Sequence, residues 1–218
     1  GVAYQGDEGQ HFLQIGSSAQ VAVRDSGYDV FVAVPTGNGR FDVAANPANG
    51  GNLVVGDTSA DAGYVADDYN ITFASPPGVP VTYEVRDGAA ALVASGNYQE
   101  GDTQVFAGAS LDLAGVPADG DSVAVSSSVR DDMFSSLQKI VSALENAGSS
   151  SAETAQVNNA MARGLDNIDQ ALGNVSRVRT DVGVRLNNIE NQLELNDSFN
   201  LSLKETLSEV QDLDYAEA

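Results

Sequence analysis

The 218 residues carry 31 Asp and Glu against 10 Lys and Arg, a formal charge of −21 with the single histidine neutral. That balance argues against nucleic acid and anionic membranes as partners, because holding phosphate needs concentrated positive charge. The 42% hydrophobic content predicts one or two domains with a real core, and the lack of cysteine removes disulfides and thiolate metal sites.

No apolar run approaches the ~20 residues needed to cross a bilayer, and no charged start followed by an apolar core marks a cleavable signal. A chain that begins at Gly1 and stops inside helical sequence at Ala218 is expected to be a piece of a longer one.

All six prolines and most glycines fall within the first 120 residues, where short β-rich runs alternate with turn chemistry. Strands are predicted at His11–Ile15, Asp29–Val34, Tyr69–Ala74, Val81–Arg86, Thr103–Ala107, Ser110–Leu113 and Ser122–Ser126. Val81, Tyr83 and Val85 alternate with Thr82, Glu84 and Arg86, as expected of a strand with one buried face. Asn46–Ala66 reads as loops with one short strand, and Asn38-Gly39 as a hairpin turn. The spacing predicts an antiparallel sandwich or barrel-like module over residues 1–128, with a helical part over 129–218. The fold class is α+β.

A first amphipathic helix is predicted at about 130–147, with Met133, Phe134, Leu137, Ile140, Val141 and Leu144 on one face. After a loop at Gly148–Ser151, Ser150 and Glu153 form a capping box that starts a long helix over about 151–212. From Met161 to Val210 an apolar stripe advances in steps of four and three. It runs through Leu165, Ile168, Leu172, Val175, Arg179, Val182, Leu186, Ile189, Leu193, Asn196, Asn200, Leu203 and Leu207. A heptad sustained this long predicts lengthwise packing in a coiled coil or helical hairpin. The run would extend about 75 Å, and the short helix would meet about a third of it. Arg179, Asn196 and Asn200 either fix register or mark where Leu195, Phe199 and Leu201 shift the buried face. Gly164, Gly173 and Gly183 signal either close helix approach or tolerance on a solvated face.

The residues offer little chemistry. His11 reads as a partly exposed strand residue. PTGNGR at Pro35–Arg40 lacks the Lys and Ser or Thr of a phosphate loop. The carboxylates Asp119 with Asp121, and Asp61 with Asp67 and Asp68, lack the twelve-residue calcium-loop pattern, so an acidic solvated surface is expected, with no cofactor, no metal and no catalytic residue. Asn70-Ile71-Thr72 matches a glycosylation sequon.

The stretch RTDVGVRLNNIE, Arg179–Glu190, and the ending LSEVQDLDYAEA, Leu207–Ala218, resemble the C-terminal helical signature of the bacterial flagellin superfamily. Arg179, Val182, Gly183, Arg185, Leu186 and Asn187 match the first motif, and Ser208, Asp212, Asp214 and Ala216 the second. YQGDEGQHFLQIG from Tyr4, GYDVFVAVPTGNGRF from Gly27, YEVRDG from Tyr83 and GVPADGDS from Gly115 are similar to the hook-associated proteins that join hook to filament.

The resemblance implies an outward-facing β-rich domain and a long helix packed against N-terminal helices that are absent here, as is the family's final C-terminal helix. It implies a non-enzymatic structural subunit of the extracellular flagellum, exported unfolded and assembled by helical polymerisation. Its partners would be copies of itself, an adjacent hook-associated protein, flagellin, and an export chaperone bound through a missing region. Packing and assembly are expected to rest on Arg179, Val182, Gly183, Arg185, Leu186, Asn187, Ile189, Leu193, Leu203, Leu207 and Val210. The alternatives are a minor or accessory flagellin, then a phage or pilus-like adhesin, then an enzyme within the outer domain.

Overall fold

A computed structural model describes residues 4–16 and 18–217, with side chains as far as Gln211. In chain order the elements are β1 (Phe12–Gln14), β2 (Gln20–Ala22), a π turn (Tyr28–Val32), β3 (Val34–Pro35), β4 (Phe41–Ala45), β5 (Val54–Ala60), β6 (Tyr69–Ala74) and β7 (Thr82–Arg86). They continue with β8 (Leu92–Asn97), β9 (Thr103–Phe106), β10 (Ala109–Ala114), β11 (Ser122–Ser127), β12 (Arg130–Asp131), α1 (Met133–Glu145) and α2 (Ser151–Glu217). Two compact units result. One holds the chain up to Gln5 with Tyr28–Asn174, and the other holds Gly6–Gly27 with the chain from Val175 onward.

Within the first unit, a five-stranded sheet in the order β4-β11-β6-β7-β8 faces a three-stranded sheet in the order β5-β10-β9, every pairing antiparallel. The cause is period-two patterning: β6 alternates buried Tyr69, Ile71 and Phe73 with exposed Asn70, Thr72 and Ala74. Register aligns Val85, Ile71 and Val123 across three strands, and all three are fully buried. Leu111 and Leu113 answer them from the smaller sheet, and edge-on pairs Tyr69–Phe106 and Phe73–Tyr98 close the core. The Tyr98 hydroxyl donates to the carbonyls of Leu113 and Gly115, and burial pushes it up to about 12. The α+β class and the antiparallel module stand as expected.

Two local expectations are corrected, and a third is extended. Asp29–Val34 is a π turn ending in a two-residue strand, β3, because the Asn174 side chain, not a neighbouring strand, takes the carbonyls of Asp29 and Val30. The one strand expected within Asn46–Ala66 is present as β5, longer than expected at seven residues, because pairing with β10 overrides its polar, glycine-containing sequence. Asn38-Gly39 does turn the chain: Gly39 sits at φ 84° and donates to Thr36, and the Asn38 side chain accepts from Arg40 and Phe41. No hairpin forms, since the flanking β3 and β4 join different sheets.

The capping box holds. The Ser150 amide donates to the Glu153 carboxylate at 2.9 Å, and the Glu153 amide donates to the Ser150 hydroxyl at 3.2 Å. α1 is capped by Asp132, which accepts from the Phe134 amide.

Candidate functional site on the two sides of the long helix

In the first unit α2 meets the β strands through polar side chains. The Asn159 carboxamide donates to the Leu53 carbonyl at 2.9 Å and accepts from the Val55 amide at 2.7 Å, so it pairs with the edge of β5 as a peptide group would. Four residues on, the Arg163 guanidinium forks onto the buried Asp42 carboxylate of β4, also an edge strand. That hydrogen-bonded pairing raises the Arg163 pKa further above its ordinary value.

Asn167 accepts from the Gly37 amide at 2.8 Å and donates to the Ser136 hydroxyl of α1 at 3.1 Å. Gln156 and Asn174 extend the row, donating to the carbonyls of Pro47, Asp29 and Val30. Beside it lies a cleft of about 270 Å³ lined by Val43, Val55, Thr58, Arg163 and Asp166. Burial, then the nearby Asp169, Asp42 and Asp57 carboxylates, raise the Asp166 carboxyl above its ordinary value.

At about 100° per residue, Asn159, Arg163, Asn167 and Asn174 centre about 180° from Met161, Leu165 and Leu172. The apolar stripe therefore lies on the open side: Leu165 is 57% and Leu172 59% exposed. α1 does not cover the first third of the stripe, contrary to expectation, and its own Leu137, Val141 and Leu144 are exposed too. The cause is Gly164, where a Cβ would stand 2.3 Å from Ile140 Cγ1; α1 approaches α2 at this glycine and at Asn167, to one side of the stripe. Gly173 and Gly183 face open space. Gly164 thus marks close helix approach, and Gly173 and Gly183 are tolerated on an open face.

In the second unit β1 and β2 form a hairpin, Phe12 opposite Ala22 and Gln14 opposite Gln20. Asp25, just beyond it, accepts from both Nη atoms of Arg185, at 2.9 and 2.5 Å. This pairing also raises the Arg185 pKa. Leu13, Ile15, Val21 and Val23 line one side of an apolar cleft of about 220 Å³, and Val182, Leu186 and Ile189 the other. Of the residues expected to carry packing and assembly, Val182, Arg185, Leu186 and Ile189 therefore meet the hairpin.

Arg179, Gly183, Asn187, Leu193, Leu203, Leu207 and Val210 are exposed. The side chains of Asp212, Asp214 and Ala216 lie outside the described residues. Sequence reasoning missed Asp25 and the second strand of the hairpin, although alternating Val21 and Val23 after Gly16–Ala19 carried the signal. It also missed the whole polar row. His11 is exposed, with the Asp7 carboxylate 3.4 Å away. Among the described residues no group of three or more His, Asp or Glu could hold a metal ion, and no helix is long and apolar enough to cross a membrane.

No protein-family model matches the chain, and no curated protein does. Solved structures do. The flagellar junction protein FlgL from Legionella pneumophila is 32% identical with a TM-score of 0.83, over 90% of this chain and 64% of that one. FlgL from Xanthomonas campestris is 31% identical with a TM-score of 0.85, over 95% and 67%. Flagellar hook-associated protein-3 from Legionella pneumophila is 30% identical with a TM-score of 0.89, over 96% and 67%. This chain spans about two thirds of their length. Matching sequence and fold over nearly all of its own length, the chain belongs to the FlgL family of flagellar hook-associated junction proteins.

Proposed function

We propose that this chain is the greater part of a non-enzymatic structural subunit that forms the layer between flagellar hook and filament, outside the cell. The observation that carries the reading is the long helix, whose polar row is used within the subunit while its apolar stripe, though Val182, Leu186 and Ile189 border the hairpin, stays largely exposed for association. Leaving a large apolar side chain wet forgoes about 1.5–3 kcal/mol, and a stripe including Leu165, Leu172, Leu186, Leu193, Leu203 and Leu207, all more than half exposed, implies a lengthwise partner.

That partner is the N-terminal helical segment of the parent subunit. Repeated heterologous contacts between copies then build a ring or helical layer, flanked by an adjacent hook-associated protein and by flagellin. An export chaperone binds outside the residues present here. Arg179, Gly183 and Asn187, exposed among the motif residues, face neighbouring subunits, whereas Arg185 serves its own.

The test is deletion of the parent gene, with electron microscopy of the cells and measurement of flagellin in the medium. Hooks without filaments, with flagellin lost to the medium, are expected; filaments of normal attachment would overturn the assignment in favour of an accessory flagellin. In the complemented strain, Asn187→Ala impairs filament attachment while leaving the purified chain's stability unchanged.

A further inference from the structure

We infer that the polar row on α2 is a latch that seats the β sandwich as a separable body, able to leave the helix and return without unfolding. The inference stands apart from the junction role and would hold for the chain in isolation.

The sandwich owns its core. Every residue of the buried apolar cluster lies between Phe41 and Val125, and among the described residues none of α1 or α2 belongs to it. Among the described residues, the buried apolar side chains on α2 are Ala155 and Ala171, which are small. What joins sandwich to helix is instead a series of side-chain hydrogen bonds at nearly regular spacing: Gln156 to Pro47, Asn159 to Leu53 and Val55, Arg163 to Asp42, Asn167 to Gly37.

Each of these groups exchanges readily with water, so separation replaces protein partners by solvent at small net cost, whereas separating the two sheets would expose Phe41, Ile71, Phe73 and Leu111. The cleft beside the row shows the same thing in space, since this interface is not packed to the density of the core. The bonds are also directional. Of the five groups that they take on the sandwich side, all but the Asp42 carboxylate belong to the backbone, so the row fixes where along α2 the sandwich sits with little dependence on the sandwich's own side chains.

A latch of this kind is cooperative: removing some rungs loosens those that remain. Gln156→Ala with Asn167→Ala in the full 218-residue chain leaves Asn159 untouched. Amide hydrogen exchange at Val55, whose proton Asn159 accepts, is expected to speed up about tenfold or more, with Ile71 and Val123 in the sheet interior changing less than about twofold. Unchanged exchange at Val55 would mean that the rungs act singly and would overturn the inference. Parallel acceleration at Ile71 and Val123 would overturn it too, because sandwich and helix would then open as one cooperative body.

Asn159→Leu gives the converse measurement. It keeps the volume but removes both bonds to β5, and exchange at Gly37, whose acceptor Asn167 is intact, should rise by a similar factor. Protection at Gly37 equal to the parent chain's would show that the seat does not depend on the carboxamide, and the latch would be abandoned.

Discussion

Gly164 and Gly173 are nine positions apart on α2 and have the same intrinsic cost in a helix, yet their surroundings assign opposite signs to the same substitution. A methyl group at Gly164 would meet Ile140 Cγ1 and Cδ1 at 2.3 and 2.4 Å, whereas at Gly173 and Gly183 nothing lies within 4 Å. Gly164→Ala is expected to lower stability by about 1–3 kcal/mol through overpacking, outweighing the helix-propensity gain of about 1 kcal/mol. Gly173→Ala and Gly183→Ala should each raise stability by up to about 1 kcal/mol. Urea unfolding of the three variants checks the signs.

Asp166 argues similarly from charge. Burial beside Asp169, Asp42 and Asp57 holds its folded pKa above the unfolded value, so the folded state binds the proton more tightly. Stability from this group is therefore fully present below the unfolded carboxylate range and is lost as pH rises through the folded pKa. Asp166→Asn should raise the melting temperature by a few degrees at pH 7, with the gain shrinking towards pH 4; a gain that does not depend on pH would remove the titration argument.

At the scale of elements, the hairpin of the second unit depends on one ion pair that is mostly shielded from solvent, the Arg185 and Asp25 side chains being 22% and 18% exposed. Hydrogen bonds to charged groups contribute about 1.5–3 kcal/mol, so Arg185→Met should speed exchange of the Val23 amide, which closes the hairpin onto the His11 carbonyl, by about tenfold. Asn187→Ala, on an exposed neighbour, should leave it unchanged.

Legibility in the sequence followed the strength of the apolar pattern. β6 and β7 could be read because their alternation records burial directly, and α2 because Ser150 and Glu153 announce its start. The position and length of β5 could not, since Gly56, Asp57, Thr58 and Ser59 form a strand only by pairing with β10. The polar row escaped for a related reason. Apolar periodicity marks the stripe through Leu165 and Leu172, which awaits a partner over most of its length, while Asn159, Asn167 and Asn174, spaced eight and seven apart, carry the side that docks within the chain. Asparagine recurring at helical period is the signal that would have found it, because a carboxamide is among the few side chains that can satisfy both groups of a strand edge.

At the scale of the molecule, the net charge and the open stripe oppose each other. Copies carrying a formal charge of −21 repel one another at long range, while Leu165, Leu172, Leu186 and Leu193, all more than half exposed, favour association over the length of a helix. Screening decides between them, since the Debye length falls from about 30 Å at ~0.01 M salt to about 8 Å at ~0.15 M. Sedimentation velocity should therefore show the purified chain monomeric at low salt and self-associating as sodium chloride is raised. The variant Leu165→Gln/Leu172→Gln/Leu186→Gln should remain monomeric throughout. A parent chain that stays monomeric at every ionic strength would show that the stripe needs the geometry of a particular helix, such as the parent subunit's N-terminal segment, and that an apolar surface alone does not draw copies together. Association of the glutamine variant equal to the parent's would point in the same direction, and would turn attention to the apolar side chains of α1.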